Sequence, residues 1–352
     1  MSRLDVLVVD DSAVIREAMR ELLEAQRMLV RTASDPVIAV RRIAERVPDV
    51  LLLDIEMPRM DGITFLRKLM SQHPIPTVVF SAIAAAGSRN AVEALAAGAV
   101  DVLEKPKIGD AGAWEATRVQ FSETLRAAAA AHVGRARGDV AAPKRALRGP
   151  SAVQVTTGGR RRAVAVVGVS TGGPQALEKL LAGLTPGGVP LAIVQHMPAA
   201  FTGALAQRLD KGCCRHVREA AGGEVLAAGD VLVAPGDRHM ELRRRGEEVT
   251  VVLRDGAPVG HHKPSVDVLF ASSATYLGDA CVGVLLTGMG ADGARGLAAL
   301  CEAGAATIAQ DEATSVVFGM PREAILLGAA ELVLPISTIG ATIERLAAGG
   351  AR

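Results

Sequence analysis

Short β-branched runs alternate with amphipathic stretches along almost the whole chain, and that alternation leaves few folds open. From Leu4 to about Ala131, LDVLVV, MLVRTA, PDVLLLD, PTVVFSA and AVDVLEK read as strands, separated by helical patterns. Ile15, Met19, Leu22 and Leu23 recur with the period of a helix laid by one face on a core. Five β-then-α units in succession specify a doubly wound parallel sheet.

The rhythm breaks over residues 132–162, which are rich in Gly, Pro and Ala. Arg135, Arg137, Lys144, Arg145, Arg148, Arg160, Arg161 and Arg162 face a single acid there, Asp139. This reads as a basic flexible linker, with docking on an acidic partner as the other reading. Alternation then resumes with AVAVVGV, PLAIVQH, DVLVAPG, VTVVLRD, CVGVLLTG, AATIAQ and ELVLP as strands. Helical runs fall around 174–183, 200–210, 265–277, 292–303 and 336–348, and an antiparallel hairpin is expected around 230–254. The predicted class is therefore α/β, with two doubly wound parallel-sheet domains: residues 1–131, a linker at 132–162, and residues 163–352.

Charge narrows the partners. The 352 residues carry 39 Lys and Arg against 38 Asp and Glu, a net +1, with one Trp and one Tyr. Neither a global field nor stacking aromatics recruits nucleic acid. The start, MSRLDVLVVDDS, has acids where a secretory leader has a basic lead, and no apolar run reaches the length of a membrane span. A cytoplasmic protein without membrane insertion is expected. Cys213, Cys214, Cys281 and Cys301 lack Cys-x-x-Cys spacing and read as reduced thiols.

In an open parallel sheet, functional groups gather where strands end at their carboxyl edge. In the first half those ends carry Asp10 and Asp11, Asp54, Ser81, and Lys105. Three carboxylates brought together call for a hard divalent cation, and Mg²⁺ accepts such oxygen ligands while keeping water and phosphate in its octahedron. Asp54 can then attack a phosphoryl donor, with Lys105 neutralising the transferred oxygens and the Ser81 hydroxyl bonding one of them.

Three chemistries compete in the second half. A Walker phosphate loop fails, because no Lys follows Gly172 and Gly173. Gly288, Gly290 and Gly293, with Asp311 closing the next strand, mimic a dinucleotide fingerprint and would make a dinucleotide-binding oxidoreductase regulated by the first half. Against it, Asp292 inside that loop would repel pyrophosphate. Nucleophilic catalysis is the third. Gly168-Val-Ser170-Thr-Gly172 fits a Gly-x-Ser-x-Gly turn that exposes a hydroxyl between strand and helix. Serine needs a base. His73 and His132 lie on the other half and linker, and His216, His239, His261 and His262 fall in stretches where a surface position is the default. His196 instead ends the next strand, about 5 Å from the strand end that carries Ser170. Asp292 then fits as the carboxylate that orients the imidazole.

Together the motifs resemble two known families. VVDDS, LLLDIEMPRMDG, FSA and EKP are similar to a response-regulator receiver domain, except that Val102 stands where receivers often carry an aromatic reporter. GVSTGGP, QHMP, APGDRHM, KPSVDVLF, LLTGMGADGARG and AQDEATSVVFGMPREAI resemble the chemotaxis protein-glutamate methylesterases. That resemblance implies a Ser170, His196 and Asp292 triad, with Thr171 and Met289 lining the site. It also implies hydrolysis of glutamate γ-methyl esters on chemoreceptors, deamidation of receptor glutamines, and a chemotaxis histidine kinase as phosphodonor. No cofactor is expected for the hydrolysis. The two-domain layout further suggests that the unphosphorylated first half covers the cleft of the second. A catalytically silent receptor-binding module would keep the same fold.

Overall fold

Continuous apolar strands are the mark of a sheet covered on both faces, and β1 (Asp5–Val9), β3 (Val50–Asp54) and β4 (Thr77–Ser81) are buried at every residue. In this computed structural model, which describes residues 3–57, 62–81, 85–106, 111–131 and 163–349, they join β2 (Leu29–Ala33) and β5 (Asp101–Glu104) in one parallel sheet. Its order is β2-β1-β3-β4-β5. The crossovers are α1 (Ala13–Glu24), α2 (Pro36–Glu45), α3 (Gly62–Gln72) and α4 (Ala85–Ala96), and α5 (Ala111–Ala129) follows β5. Side-chain caps start the first two: Ser12 accepts from the Ile15 N–H at 3.4 Å and Asp35 from the Ile38 N–H at 2.9 Å. Met19, Leu22 and Leu23 are the buried face of α1, as their spacing predicts.

Two compact units divide the chain, Met1–Ala136 and Arg137–Arg352. The predicted linker, 132–162, lies outside the described residues. In the second unit the strands are β6 (Val164–Val169), β7 (Leu191–Gln195), β8 (His216–Glu219), β9 (Asp230–Val233), β10 (His239–Arg245), β11 (Glu248–Arg254), β12 (Cys281–Leu285), β13 (Ala306–Gln310) and β14 (Leu332–Leu334). Seven of them form a parallel sheet ordered β14-β13-β12-β6-β7-β9-β8. The helices are α6 (Gly173–Ala182), α7 (Ala199–Gly212), α8 (Val266–Tyr276), α9 (Ala294–Glu302), α10 (Met320–Leu326) and α11 (Ile336–Ala347).

The first strand of this unit, β6, lies inside the sheet, with β7 on one side and β12 on the other. The chain winds outward in both directions from that point, so a crevice opens at the carboxyl ends of β6, β7 and β12. The expected hairpin is present but narrower than 230–254. It is β10 against β11, registered from His239 opposite Arg254 to Arg245 opposite Glu248. β9 instead pairs in parallel with β7 and β8, because its run DVLV is apolar enough to be covered on both faces. β8 has no apolar run to announce it; HVRE is a four-residue edge strand, with polar and charged side chains suited to an unpaired edge.

Candidate active site

Ser170 follows β6 directly and is 9% exposed. Its N–H donates to the Thr287 carbonyl at 3.0 Å and its carbonyl accepts from the Gly173 N–H at 2.7 Å, a tight turn into α6. Gly172 at the corner has φ 77°, and a Cβ there would also lie 2.4 Å from Cβ of Val316. In the first turn of α6 the Gly173 N–H is thus taken by the Ser170 carbonyl, and Pro174 has no N–H to offer. Thr171 is buried, and its carbonyl accepts from Thr287 Oγ1 at 2.9 Å. Met289 is half-buried on the turn after β12. Neighbouring Gly288 touches the serine: a Cβ there would come within 2.7 Å of Ser170 Cβ.

The strand pairing brings His196 alongside the end of β6. Val169 is opposite Gln195, and the His196 N–H donates to the Val169 carbonyl at 3.1 Å. His196 Nε2 lies 2.8 Å from Asp292 Oδ2, with both side chains largely buried. Asp292 also accepts from the Ser265 hydroxyl at 2.9 Å, the Val266 N–H at 2.7 Å and the Asp267 N–H at 3.2 Å, so it sits on the positive end of α8. Burial acts to raise its pKa, but the bond and charge of His196 with these donors hold it at about 2. Ionised, Asp292 fixes the Nε2–H tautomer of His196. The other nitrogen, Nδ1, is buried and has no hydrogen-bond partner among the described residues. Asp292 is thus paired with Nε2 and Nδ1 is the nitrogen that remains, the reverse of the pairing in chymotrypsin-like proteases.

A second cluster lies at the carboxyl edge of the first sheet. Asp10 and Asp54 are fully buried, Asp11 is exposed, and one oxygen of each lies within 4.8 Å of the others. Lys105 Nζ is 2.9 Å from Asp10 Oδ2 and 2.7 Å from Asp54 Oδ2. Burial would lower the Lys105 pKa, but hydrogen bonds to Asp54 and Asp10 raise it, while burial dominates at Asp10 and raises its carboxyl. Ser81 is buried at the end of β4, and its carbonyl accepts from the Lys105 N–H at 2.9 Å. Such hard, closely set oxygen donors fit a small divalent cation. Val102 is buried in β5.

Known proteins match both halves. Residues 165–343 match the family described as CheB methylesterase, and residues 6–111 match the response regulator receiver domain. A relative from Anaeromyxobacter dehalogenans named protein-glutamate methylesterase/protein-glutamine glutaminase 5 is 52% identical, over 97% of this chain and 96% of its own. One from Geobacter metallireducens, named protein-glutamate methylesterase/protein-glutamine glutaminase 3, is 47% identical, over 98% and 99%. The chain belongs to the CheB methylesterase family. Among solved structures, the CheB methylesterase catalytic domain of Thermotoga maritima is 37% identical with a TM-score of 0.51, covering 53% of this chain and 98% of that one.

Several polar residues around this CheB-family site lie inside the motifs QHMP, LLTGMGADGARG and AQDEATSVVFGMPREAI, which by themselves give them no role. Gln195, Thr287 and Gln310 are fully buried. Gln195 Nε2 donates to the carbonyls of Ser170 and His196, both at 3.0 Å, and Gln310 Oε1 accepts from the Thr287 N–H at 2.8 Å. Strand-end polar residues one place before a functional residue were the available clue. Two histidines also depart from the expected surface position. His239 is buried, accepting from the Ser265 N–H at 3.2 Å with Nε2 3.1 Å from the Ala257 carbonyl, and it ties the hairpin to the start of α8. His262 stacks on His196. Asp311, the acid of the dinucleotide reading, is half-buried and accepts from the Thr314 N–H at 3.1 Å.

Proposed function

We propose that this chain is a phosphorylation-activated protein-glutamate methylesterase, with Ser170, His196 and Asp292 as its triad. Ser170 Oγ attacks the ester carbonyl of a glutamate γ-methyl ester while His196 Nδ1 takes the hydroxyl proton. Asp292 holds the Nε2–H and stabilises the imidazolium that forms. His196 then gives the proton to the departing methoxide, and methanol leaves. Water deprotonated by the same nitrogen clears the acyl-enzyme and leaves glutamate. Thr171, on the turn before α6, and Met289, on the turn after β12, line the developing oxyanion. The same attack on a glutamine amide releases ammonia. These steps use only this chain's side chains, main chain and water.

The observation that carries this reading is the 2.8 Å contact of His196 Nε2 with Asp292, which leaves a buried, unpartnered Nδ1 beside the strand end bearing Ser170. The substrate is the cytoplasmic helical bundle of methyl-accepting chemoreceptors, and Asp54 receives its phosphoryl group from a chemotaxis histidine kinase. Asp10, Asp11 and Asp54 would hold Mg²⁺, which when bound supplies positive charge to the transferring phosphoryl oxygens. No helix among the described residues is long and apolar enough to cross a membrane.

Methanol release from methyl-labelled receptor tests the reading. Wild type should release it, and Ser170→Ala should reduce the rate to background; equal rates would exclude Ser170 as nucleophile.

A further inference from the structure

The segment between β11 and α8 sets a second imidazole against the first. Val259 and His262 exchange two main-chain hydrogen bonds of 3.0 Å, closing a turn with Gly260 and His261 at its centre. Both central residues have positive φ, 56° and 71°, the signature of a type I′ turn. Glycine enters that region freely; a histidine such as His261 enters it only under constraint. What the constrained turn sets is the position of His262. Its ring lies 3.9 Å from that of His196, centroid to centroid, with the planes 5° apart.

A single in-plane hydrogen bond, such as that from His196 Nε2 to Asp292, leaves an imidazole able to swing about that bond. A flat contact on the ring face removes this freedom. The three residues after the turn, Lys263 to Ser265, lead into the N–H groups that grip Asp292. One short segment therefore controls both the ring's edge and its face. We propose that His262 is a positioning residue, whose ring braces the face of His196 and fixes the plane in which Nδ1 meets the Ser170 hydroxyl. This rests on the triad reading given above.

The brace works only while His262 is neutral, since a second cation stacked on His196 would oppose the imidazolium formed in the reaction. Its surroundings keep it so. Burial and the charge of His196 push its pKa down to about 4, with His261 acting in the same direction and Asp292 opposing. His262 thus carries no charge at neutral pH.

The test compares full-length wild type with His262→Ala and His262→Phe, in methanol release from methyl-labelled receptor and in ¹⁵N spectra of the histidine rings. His262→Ala should lower kcat by about 10- to 100-fold, the scale of a displaced catalytic group, with KM little changed. His262→Phe keeps a flat ring and should recover most of that loss. The His196 signals should show a single Nε2–H tautomer in wild type and in His262→Phe, and mixed tautomers or a moved titration in His262→Ala. Wild-type kcat, pH profile and ring signals in His262→Ala would overturn the brace and leave the triad standing. If Ser170→Ala kept full activity the triad would fall instead, and the ring signals would still decide: a changed His196 in His262→Ala supports the brace, and an unchanged one refutes it.

Discussion

The side-chain amide of Gln195 donates to the main-chain carbonyl of Ser170 at 3.0 Å, so the residue ending β7 holds the residue that follows β6. The same nitrogen donates to the His196 carbonyl, also at 3.0 Å. One fully buried side chain thereby sets the spacing between the proposed nucleophile and its base. Gln195→Leu removes both bonds; the Ser170 carbonyl keeps the Gly173 N–H, and the His196 carbonyl loses its amide donor. Leaving a buried acceptor unsatisfied costs about 1–3 kcal/mol, and denaturant unfolding should show a loss of that order. Methanol release should fall further than stability alone explains; full activity in a folded Gln195→Leu protein would deny it any role in spacing.

Asp292→Asn keeps the shape of the side chain but places an amide opposite His196 Nε2. The Ser265 hydroxyl and the Asp267 N–H, both on Oδ1, would select the amide oxygen there, placing the amide nitrogen at the Oδ2 position against His196 Nε2 and the Val266 N–H. His196 would then present the wrong tautomer, an effect worth about 10⁴ in kcat in a serine protease. A loss below tenfold would remove Asp292 from the triad. Because its pKa is held at about 2, Asp292 stays ionised well into acid, and kcat/KM should show no inflection near the usual carboxylate value.

Gly288→Ala tests packing against the nucleophile. The added Cβ would lie 2.7 Å from Ser170 Cβ and 2.2 Å from Met320 Sδ. Overpacking of this kind costs about 1–3 kcal/mol, and here the strain is released by moving the serine. The expected outcome is a folded protein with sharply reduced kcat, checked by circular dichroism and methanol release together. Unchanged kcat would mean that Met320 alone absorbs the clash.

In the first sheet, Asp54→Asn should abolish phosphorylation by acetyl phosphate in the presence of Mg²⁺, read by gel retardation of the phosphoprotein. Chelation with EDTA should do the same to wild type. Lys105→Met should also block activation. It removes the cation lying 2.7 Å from Asp54 and 2.9 Å from Asp10, so the two buried carboxylates lose their neutralising partner. Phosphorylation of Asp54→Asn at the wild-type rate would place the acceptor elsewhere.

What could be read from sequence follows from where the information lies. Strands such as VLLLD and VAVVGV are covered on both faces, so burial writes itself as an unbroken apolar run; the carboxyl-edge rule then located Asp54, Ser170, His196 and Asp292 without coordinates. β8 escaped because an edge strand has little apolar face to show. β9 was assigned to the hairpin because local sequence does not state which neighbour a short strand pairs with. His262 escaped for a different reason. Its position depends on the chain turning back at Gly260 and His261, a matter of tertiary register, and a polar loop sequence around a histidine looks the same whether the ring faces water or another ring.

That hidden contact has a thermodynamic consequence. His262 titrates at about 4 in the folded protein against 6.5 when unperturbed. The unfolded chain therefore takes up a proton that the folded one refuses as pH falls below about 6.5, and stability declines until the folded pKa is reached. At about 1.4 kcal/mol per pKa unit the ceiling is about 3 kcal/mol, and the ring's partial exposure brings the expected value below it. Asp292 acts lower on the scale: its depressed pKa contributes stability that is present above its unperturbed 3.8 and lost as pH falls toward about 2. Between pH 6.5 and 4.5 the decline is thus the part assigned to His262. His262→Phe removes the titrating group and keeps the ring. The difference in unfolding free energy between pH 7 and 4.5, measured by urea titration at fixed ionic strength, should shrink in His262→Phe relative to wild type. An identical pH dependence in the two proteins would mean that His262 meets solvent in the folded state and does not rest on His196.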